Sequence, residues 1–454
     1  MYVRRTFFAF ILLFTAPSLA VNCGAKVIKS THAHPVIPYN HSKLAAPPGM
    51  VYIPGGSTVI KYSQSATDTS SKKKVSLSSF FIDKTEVTNQ QYRQFAEWVI
   101  DSVAVTTYLK DDKYFYENKS SDSSHRRINW AKVSHKKIWD SKDEETKSKL
   151  QPMYENGMIR KEMYNFAYTH LKAVGTNAKA KVGEYTTDPV NIYPDEGVWA
   201  KDLANSQTDV LVENYFTAPP YNDYPVVGVN WMQARAFTYW RSKTGGGYTN
   251  VADYMKYYHL TYSLPSEAQW VYAAQENSVI TEDHGPVATD STGNIILDSS
   301  AIAMGAQNPA DSTHVDRDKN GLLVNFKQDE GDYTEDGAAF TLPVMSYAPN
   351  KFGVYNMVGN VSEWVLDAYS PSTFAFVSDV NPVLLYDADS SDAEAMKRKV
   401  VRGGSFMSNA KALSPYYRDL EVQNASHCYI GFRCVMQAPE ILTKKVATRK
   451  KKRK

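Results

Sequence analysis

The chain has 454 residues, 43% of them hydrophobic and 22% charged, which is enough apolar mass for a sizeable core and excludes disorder throughout. Its formal net charge is +3, yet residues 443–454 hold eight Lys or Arg and no acid, and Arg4 and Arg5 open the chain; with those ten charges set aside, the body carries −7. A mildly acidic body argues against nucleic acid as a principal partner, because phosphate contacts need a basic face. The only long apolar run in the sequence lies at the extreme N-terminus, so a polytopic membrane protein is excluded.

Residues 1–22 have the order of an export signal: a basic start, an apolar stretch from Phe7 to Thr15, Pro17, and a small-residue cleavage site at Ser18-Leu19-Ala20. Cys23 follows three residues on, where a lipoprotein carries the thiol that receives lipid. Ala20-Val21-Asn22 departs from the usual lipobox, which has Leu three residues before the Cys and a small residue directly before it. A lipidated Cys23 and a free Val21 are both compatible with this segment. Residues 23–48, with His32, His34, Pro35, Pro38, Pro47 and Pro48, read as a lipidated or flexible tether.

Folding is expected to begin at Met50-Val51-Tyr52-Ile53, a short strand stopped by Pro54, Gly55 and Gly56, and to continue with a strand at Phe80-Phe81-Ile82-Asp83. Thr88 with Gln91 forms a capping box ahead of Tyr92, Phe95 and Trp98 at helical spacing. The same pattern recurs at Asn230 and Gln233 ahead of Ala234, Phe237 and Trp240, and at Ser266 and Gln269 ahead of Trp270 and Ala273. Three amphipathic helices are predicted, with their aromatics in the core. Between about 101 and 224 the chain turns polar and then aromatic-rich, and reads as an insertion. Trp199, Tyr215, Phe216, Tyr221 and Tyr224 suit either an interface or irregular core covering. Residues 439–454 form a basic tail that repels itself and is expected to be disordered.

Cys428 and Cys434 are six residues apart. In one extended strand they would stand roughly 20 Å apart, beyond disulfide reach, so buried free thiols are expected unless a turn separates them. Residues 316–321 (DRDKNG) open like a calcium-binding EF-hand loop. Its twelfth position is Lys327, where a bidentate Glu belongs, so the stretch reads as an Asx-type turn.

Residues 49–56 (GMVYIPGG), 81–89 (FIDKTEVTN), 224–231 (YPVVGVNW), 264–270 (LPSEAQW), 356–364 (NMVGNVSEW), 402–406 (RGGSF) and 431–434 (GFRC) occur in the order of the formylglycine-generating enzyme, or sulfatase-modifying factor, family, which the chain resembles. The resemblance implies one α+β domain over 49–438, related to the C-type-lectin fold, with much irregular backbone and the insertion at 101–224. Family enzymes oxidise a substrate cysteine with copper held by two cysteines shortly after the Gly-Gly-Ser motif. Those positions are Ser408 and Leu413 here, and Cu(I) selects soft sulfur. The resemblance therefore implies a scaffold without that oxidase, not an enzyme, and no copper.

Two calcium sets are implied by the same resemblance: Asn325, the Phe326 carbonyl, Asp336 and the Ala338 carbonyl; and Asn356, the Gly359 and Val361 carbonyls and Glu363. All offer the oxygen ligands that a hard cation takes, although Asn356, Asn360 and Glu363 also suit simple turn capping. Residues 190–195 (VNIYPD), 214–216 (NYF), 223–225 (DYP), 397–404 (KRKVVRGG) and 429–433 (YIGFR) are similar to the inactive GldK/PorK lipoprotein branch of gliding and type IX secreting bacteria. That similarity implies a structural lipoprotein on the periplasmic face of the outer membrane, self-associating in a ring with a GldN/PorN-type periplasmic protein. The related GldJ lipoproteins share much of the pattern.

Overall fold

The computed structural model describes residues 46–61, 72–117, 126–172, 184–204, 207–245, 260–275, 317–318, 321–322, 324–327, 338–409 and 412–438. The export signal, Cys23, Asp336 and the basic tail lie outside the described residues.

Strand β1 (Met50–Ile53) pairs antiparallel with β4 (Phe80–Asp83), Met50 opposite Asp83. Between them, β2 (Gly56–Lys61) and β3 (Lys72–Leu77) form a ribbon. Every side chain of β4 is buried. From Thr88 the chain enters α1 (Asn89–Val103), and the capping box is complete: Thr88 accepts from the Gln91 amide while Gln91 accepts from the Thr88 amide. The helix buries Tyr92, Phe95, Ala96, Val99 and Ile100 on one stripe. Trp98 is half-buried and stacks on Trp130 at 4.6 Å.

The insertion builds its own small core. A π-helical turn (Ala104–Leu109) ends at Lys110 in the left-handed region, followed by α2 (His135–Trp139) and α3 (Glu144–Leu150). Ile100, Val105, Leu109, Ile138, Leu150 and Met153 cluster there. The hairpin of β5 (Tyr154–Glu155) and β6 (Met158–Ile159) turns at Asn156-Gly157, both with positive φ, as a two-residue primed turn requires. Next, β7 (Asn165–Lys172) and β8 (Glu184–Asn191) pair as a long ribbon that lays Phe166 and Tyr168 inward. Two short helices, α4 (Val198–Asp202) and α5 (Asp209–Asn214), lead back to the main body. Trp199, Tyr215 and Phe216 are each at most 4% exposed, so packing assigns them to the core covering.

The other two capped helices form as expected: α6 (Trp231–Thr244) behind Asn230, and α7 (Glu267–Ala274) behind Ser266. Strand β10 (Arg317–Asp318) pairs antiparallel with β11 (Gly321–Leu322) inside the stretch that resembles a calcium loop. The second main sheet has the order β14-β13-β12-β15, from β12 (Ser362–Ala368), β13 (Arg398–Arg402), β14 (Asp419–Val422) and β15 (Ile430–Gly431), with β12 and β15 parallel. The short α8 (Thr373–Phe376) leaves β12. The first sheet is completed by β9 (Tyr262–Ser263) and β16 (Val435–Gln437), in the order β1-β4-β16-β9. Helix α7 packs with Phe80, Ile82, Val365, Val400 and Val435 from both sheets, and this α+β core holds the motif segments together. Among the described residues no helix is long and apolar enough to cross a membrane.

Candidate functional site

The charged residues of the seven family motifs, Lys84 apart, are buried. Glu363, the second residue of β12, is fully buried, and both its oxygens accept from Arg433: Nε lies 3.0 and 2.8 Å from Oε1 and Oε2, and Nη2 lies 2.6 Å from Oε1. Trp270 Nε1 donates to Oε2 at 2.8 Å. Arg433 donates further to the carbonyls of Asp83 at 3.2 Å and Tyr355 at 2.8 Å. Two charges taken out of water persist only when their remaining donors and lone pairs are matched, and here they are.

Beside this pair lies Glu86, also fully buried, accepting from Asn360 Nδ2 at 2.9 Å and from Asn356 Nδ2 at 3.1 and 3.2 Å. Burial, against the pull of Arg433, raises its carboxyl to about 7. Asn356, Gly359 and Asn360 all have positive φ. A Cβ on Gly359 would stand 2.5 Å from Val324 Cγ2 and 2.6 Å from the Asn325 carbonyl oxygen, so the loop closes only with glycine there.

A second array surrounds Glu267 of α7. Arg418 donates to its two oxygens at 2.7 and 3.0 Å, and Arg402 to Oε1. Burial alone would raise the Glu267 carboxyl, but Arg418 and then Arg402 hold it below its ordinary value. Asp367 accepts from the Glu267 amide at 2.7 Å and the Leu384 amide at 2.8 Å; burial, then the neighbouring Glu267, raises it to about 7. In a third pair, Arg241 grips Asp83 at 2.7 and 2.9 Å, and Asp83 also accepts from the Cys434 amide at 2.9 Å.

The positions where the family's copper ligands are expected have other occupants. Ser408 Oγ accepts from the Ser405 amide at 3.0 Å and lies 3.2 Å from Ser405 Oγ, closing a tight turn after Gly403 and Gly404. Leu413 is 3% exposed and packs with Val324, Phe326 and Val358. A hydroxyl committed to a turn and an alkyl side chain do not fit a thiophilic ion. Cys428 and Cys434 are both buried and free, as the spacing suggests. Burial, then Asp202, pushes the Cys428 thiol up; burial, then Asp83, does the same for Cys434. Neither is poised as a thiolate.

Of the implied calcium sets, Asn356, Gly359, Val361 and Glu363 share one turn into β12. Both oxygens of Glu363 already accept as the side chains stand, from the shared Arg433 Nε–H, from Arg433 Nη2 and from Trp270 Nε1. In the other set, Asn325 is 1% exposed; its Nδ2 donates to the Phe340 carbonyl at 2.7 Å, and its own carbonyl accepts from the Asn360 amide at 2.9 Å. Phe326 is buried and Ala338 half-buried. Among the described residues there is no group of three or more His, Cys, Asp or Glu arranged for a metal.

These arrays coincide with the motif segments, and the match between chain and family covers nearly all of the folded body, residues 38–438, under the description sulfatase-modifying factor enzyme 1-like domain. The chain belongs to this family. Among the similar proteins, a formylglycine-generating enzyme of Thermomonospora curvata is 26% identical over 215 residues, covering 47% of this chain and 55% of that protein. The serine/threonine-protein kinase Pkn1 of Chlamydia trachomatis is 29% identical over 216 residues, covering 48% of this chain and 25% of that protein. The matched part thus spans about half or less of these curated relatives. PvdO from Pseudomonas aeruginosa aligns with a TM-score of 0.39 and 14% identity, over 86% of this chain and 94% of that one.

Within the sulfatase-modifying factor fold, the sequence reading missed two elements of the polar structure. Arg418 sits in an aromatic run, Tyr416-Tyr417-Arg418, with no motif to mark it. Nothing in the sequence brings His427 together with its carboxylate partners, Asp202 and Glu421.

Proposed function

We propose that this chain is a non-catalytic structural component of the type IX secretion and gliding machinery. In this reading it sits on the periplasmic face of the outer membrane, anchored through lipid on Cys23, and forms a ring with a GldN/PorN-type partner. The observation that carries the non-catalytic part is the pair Ser408 and Leu413, a turn hydroxyl and a core side chain at the positions where family oxidases hold copper. The scaffold part is supported by the motif residues, whose charges are spent on holding the fold: Glu363 on Arg433, Glu267 on Arg402 and Arg418. The place in the secretion machinery rests on the resemblance at 190–195, 397–404 and 429–433.

Purified protein supplied with copper, oxygen and a cysteine-containing peptide is expected to give no formylglycine mass shift. A shift that vanished in Cys428→Ser would overturn the non-catalytic reading. Pull-down from native envelopes is expected to return an abundant periplasmic partner in near-fixed ratio, together with a mature N-terminus acylated on Cys23. Recovery as a free monomer, or normal type IX export in a clean deletion, would refute the scaffold role, and a tight calcium-dependent glycan ligand would replace it with a binding module.

A further inference from the structure

We infer that His427 is a proton-operated clamp that fastens helix α4 to the main body beside the loop carrying Met407 and Ser408, closed when the imidazole is protonated and loosened when it is not. The geometry is two-sided. Nδ1 lies 3.1 and 3.3 Å from the carboxylate oxygens of Asp202, the last residue of α4, and Nε2 lies 3.1 Å from Glu421 Oε2 on β14. A neutral imidazole has one N–H and one lone pair, so between two carboxylates it can satisfy only one and must turn its lone pair on the other; only the imidazolium donates to both. Tyr429 stacks on the ring at 4.7 Å and closes one face.

The side chains of His427, Asp202 and Glu421 are 14%, 7% and 26% exposed, shielded enough for the charges to act strongly and open enough to exchange a proton. Burial disfavours the imidazolium, but its hydrogen bonds to Glu421 and Asp202 outweigh this and raise the imidazole above its ordinary value; His427 in turn lowers Glu421. The other groups facing the site are Lys201, which favours ionised Glu421, Asp419, which acts on Tyr429, and the neutral Cys428 thiol.

What the clamp holds follows from the packing. Helix α4 has five residues, too few to persist alone. Its Trp199 is buried in a cluster with Val361, Phe406 and Cys428, and Asp202 also accepts from the Cys428 amide at 2.8 Å. The Cys428 thiol in turn lies 3.9 Å from Met407 Sδ. Loss of the proton leaves Asp202 and Glu421 across a neutral ring, so α4 and Trp199 are released first. Because the folded value is raised, the contribution is full below the unfolded value of about 6.5 and is lost as pH rises through the folded value.

The test uses the full chain with labelled histidine. In NMR titration His427 is expected to titrate above about 6.5, and hydrogen exchange at the Lys201 and Leu203 amides, corrected for intrinsic rate, is expected to accelerate between about pH 5 and about pH 9. The acceleration should be about tenfold for each unit by which the value is raised. His427→Gln should remove the pH dependence, and Asp202→Asn should lower the titration point. A wild-type His427 titrating at or below about 6.5, or α4 exchange as flat with pH as in His427→Gln, overturns the clamp.

Discussion

Glu363→Gln keeps the shape of the buried Glu363–Arg433 array and removes the carboxylate charge. Trp270 retains an acceptor, but Arg433 loses the carboxylate that now takes its Nε and Nη2 at 2.6–3.0 Å and faces an amide instead. Removing one member of a buried ion pair costs about 3–5 kcal/mol, because the other charge is left without compensation. Glu86 already feels Arg433 against its own burial, so its ionisation supplies part of the missing counter-charge and the loss falls near the lower end, about 3 kcal/mol. Unfolding entropy is about 2.1 cal/mol/K per residue, so for a unit on the order of 400 residues this lowers Tm by roughly 4 °C. Calorimetry near neutral pH, run once with EGTA and once with calcium, should give the same drop in both. The double variant Glu86→Gln/Glu363→Gln should fall by more than its two singles together, since it strips Arg433 of both carboxylates. An unchanged Tm would refute the structural role of the pair, and a drop confined to calcium would reassign Glu363 to a cation.

Other consequences are open to measurement. Asp367 ordinarily titrates near 3.8 and is raised to about 7, so its neutral form favours the fold; stability should decline as pH rises through that window, and Asp367→Asn should flatten the slope in denaturant titrations. Asn89 is fully buried and donates to the carbonyls of Tyr215 at 2.9 Å and Tyr221 at 3.0 Å; Asn89→Ala takes a donor from each, leaving the Tyr221 carbonyl with the Tyr224 amide at 3.2 Å, should cost about 1–3 kcal/mol, and should speed proteolysis around 209–224. Calcium at Asn325 and Asp336, with the Phe326 and Ala338 carbonyls, is expected to raise Tm, and Asp336→Asn should erase the increment; equal Tm in calcium and EGTA would remove the ion from this chain.

The helix starts were legible because a capping box is local: Thr88 and Gln91, Asn230 and Gln233, Ser266 and Gln269 need only three residues of separation and a free amide. The strand at Phe80–Asp83 and the burial of Tyr92, Phe95, Phe237 and Trp270 follow from apolar pattern in the same way. Serine at 408 and leucine at 413 are read directly from the sequence, and that copper ligands belong there is what the family resemblance implies. The roles of Trp199, Tyr215 and Phe216 stayed open in the sequence, because an aromatic between turn residues suits an interface as well as a core. Packing of Trp199 and Tyr215 in a cluster with Phe340, Phe406 and Val361, and of Phe216 against Tyr92 and Tyr193, settled it.

Ion pairing was the least legible layer. Glu363 meets Arg433 across 70 positions, Glu267 meets Arg418 across 151, and His427 meets Asp202 across 225. Spacing along a chain constrains which groups share a helix face or a turn, and motif order constrains which family's fold the chain adopts. Which carboxylate faces which guanidinium or imidazole depends on where separate segments cross, and their mutual burial then decides whether a charge is kept, neutralised or shared. By itself, then, the sequence determined the fold class, the capped helices and the presence of serine and leucine at 408 and 413; tertiary structure alone decided that Glu363, Glu267 and their arginines are spent inward and that one histidine bridges the insertion and the body.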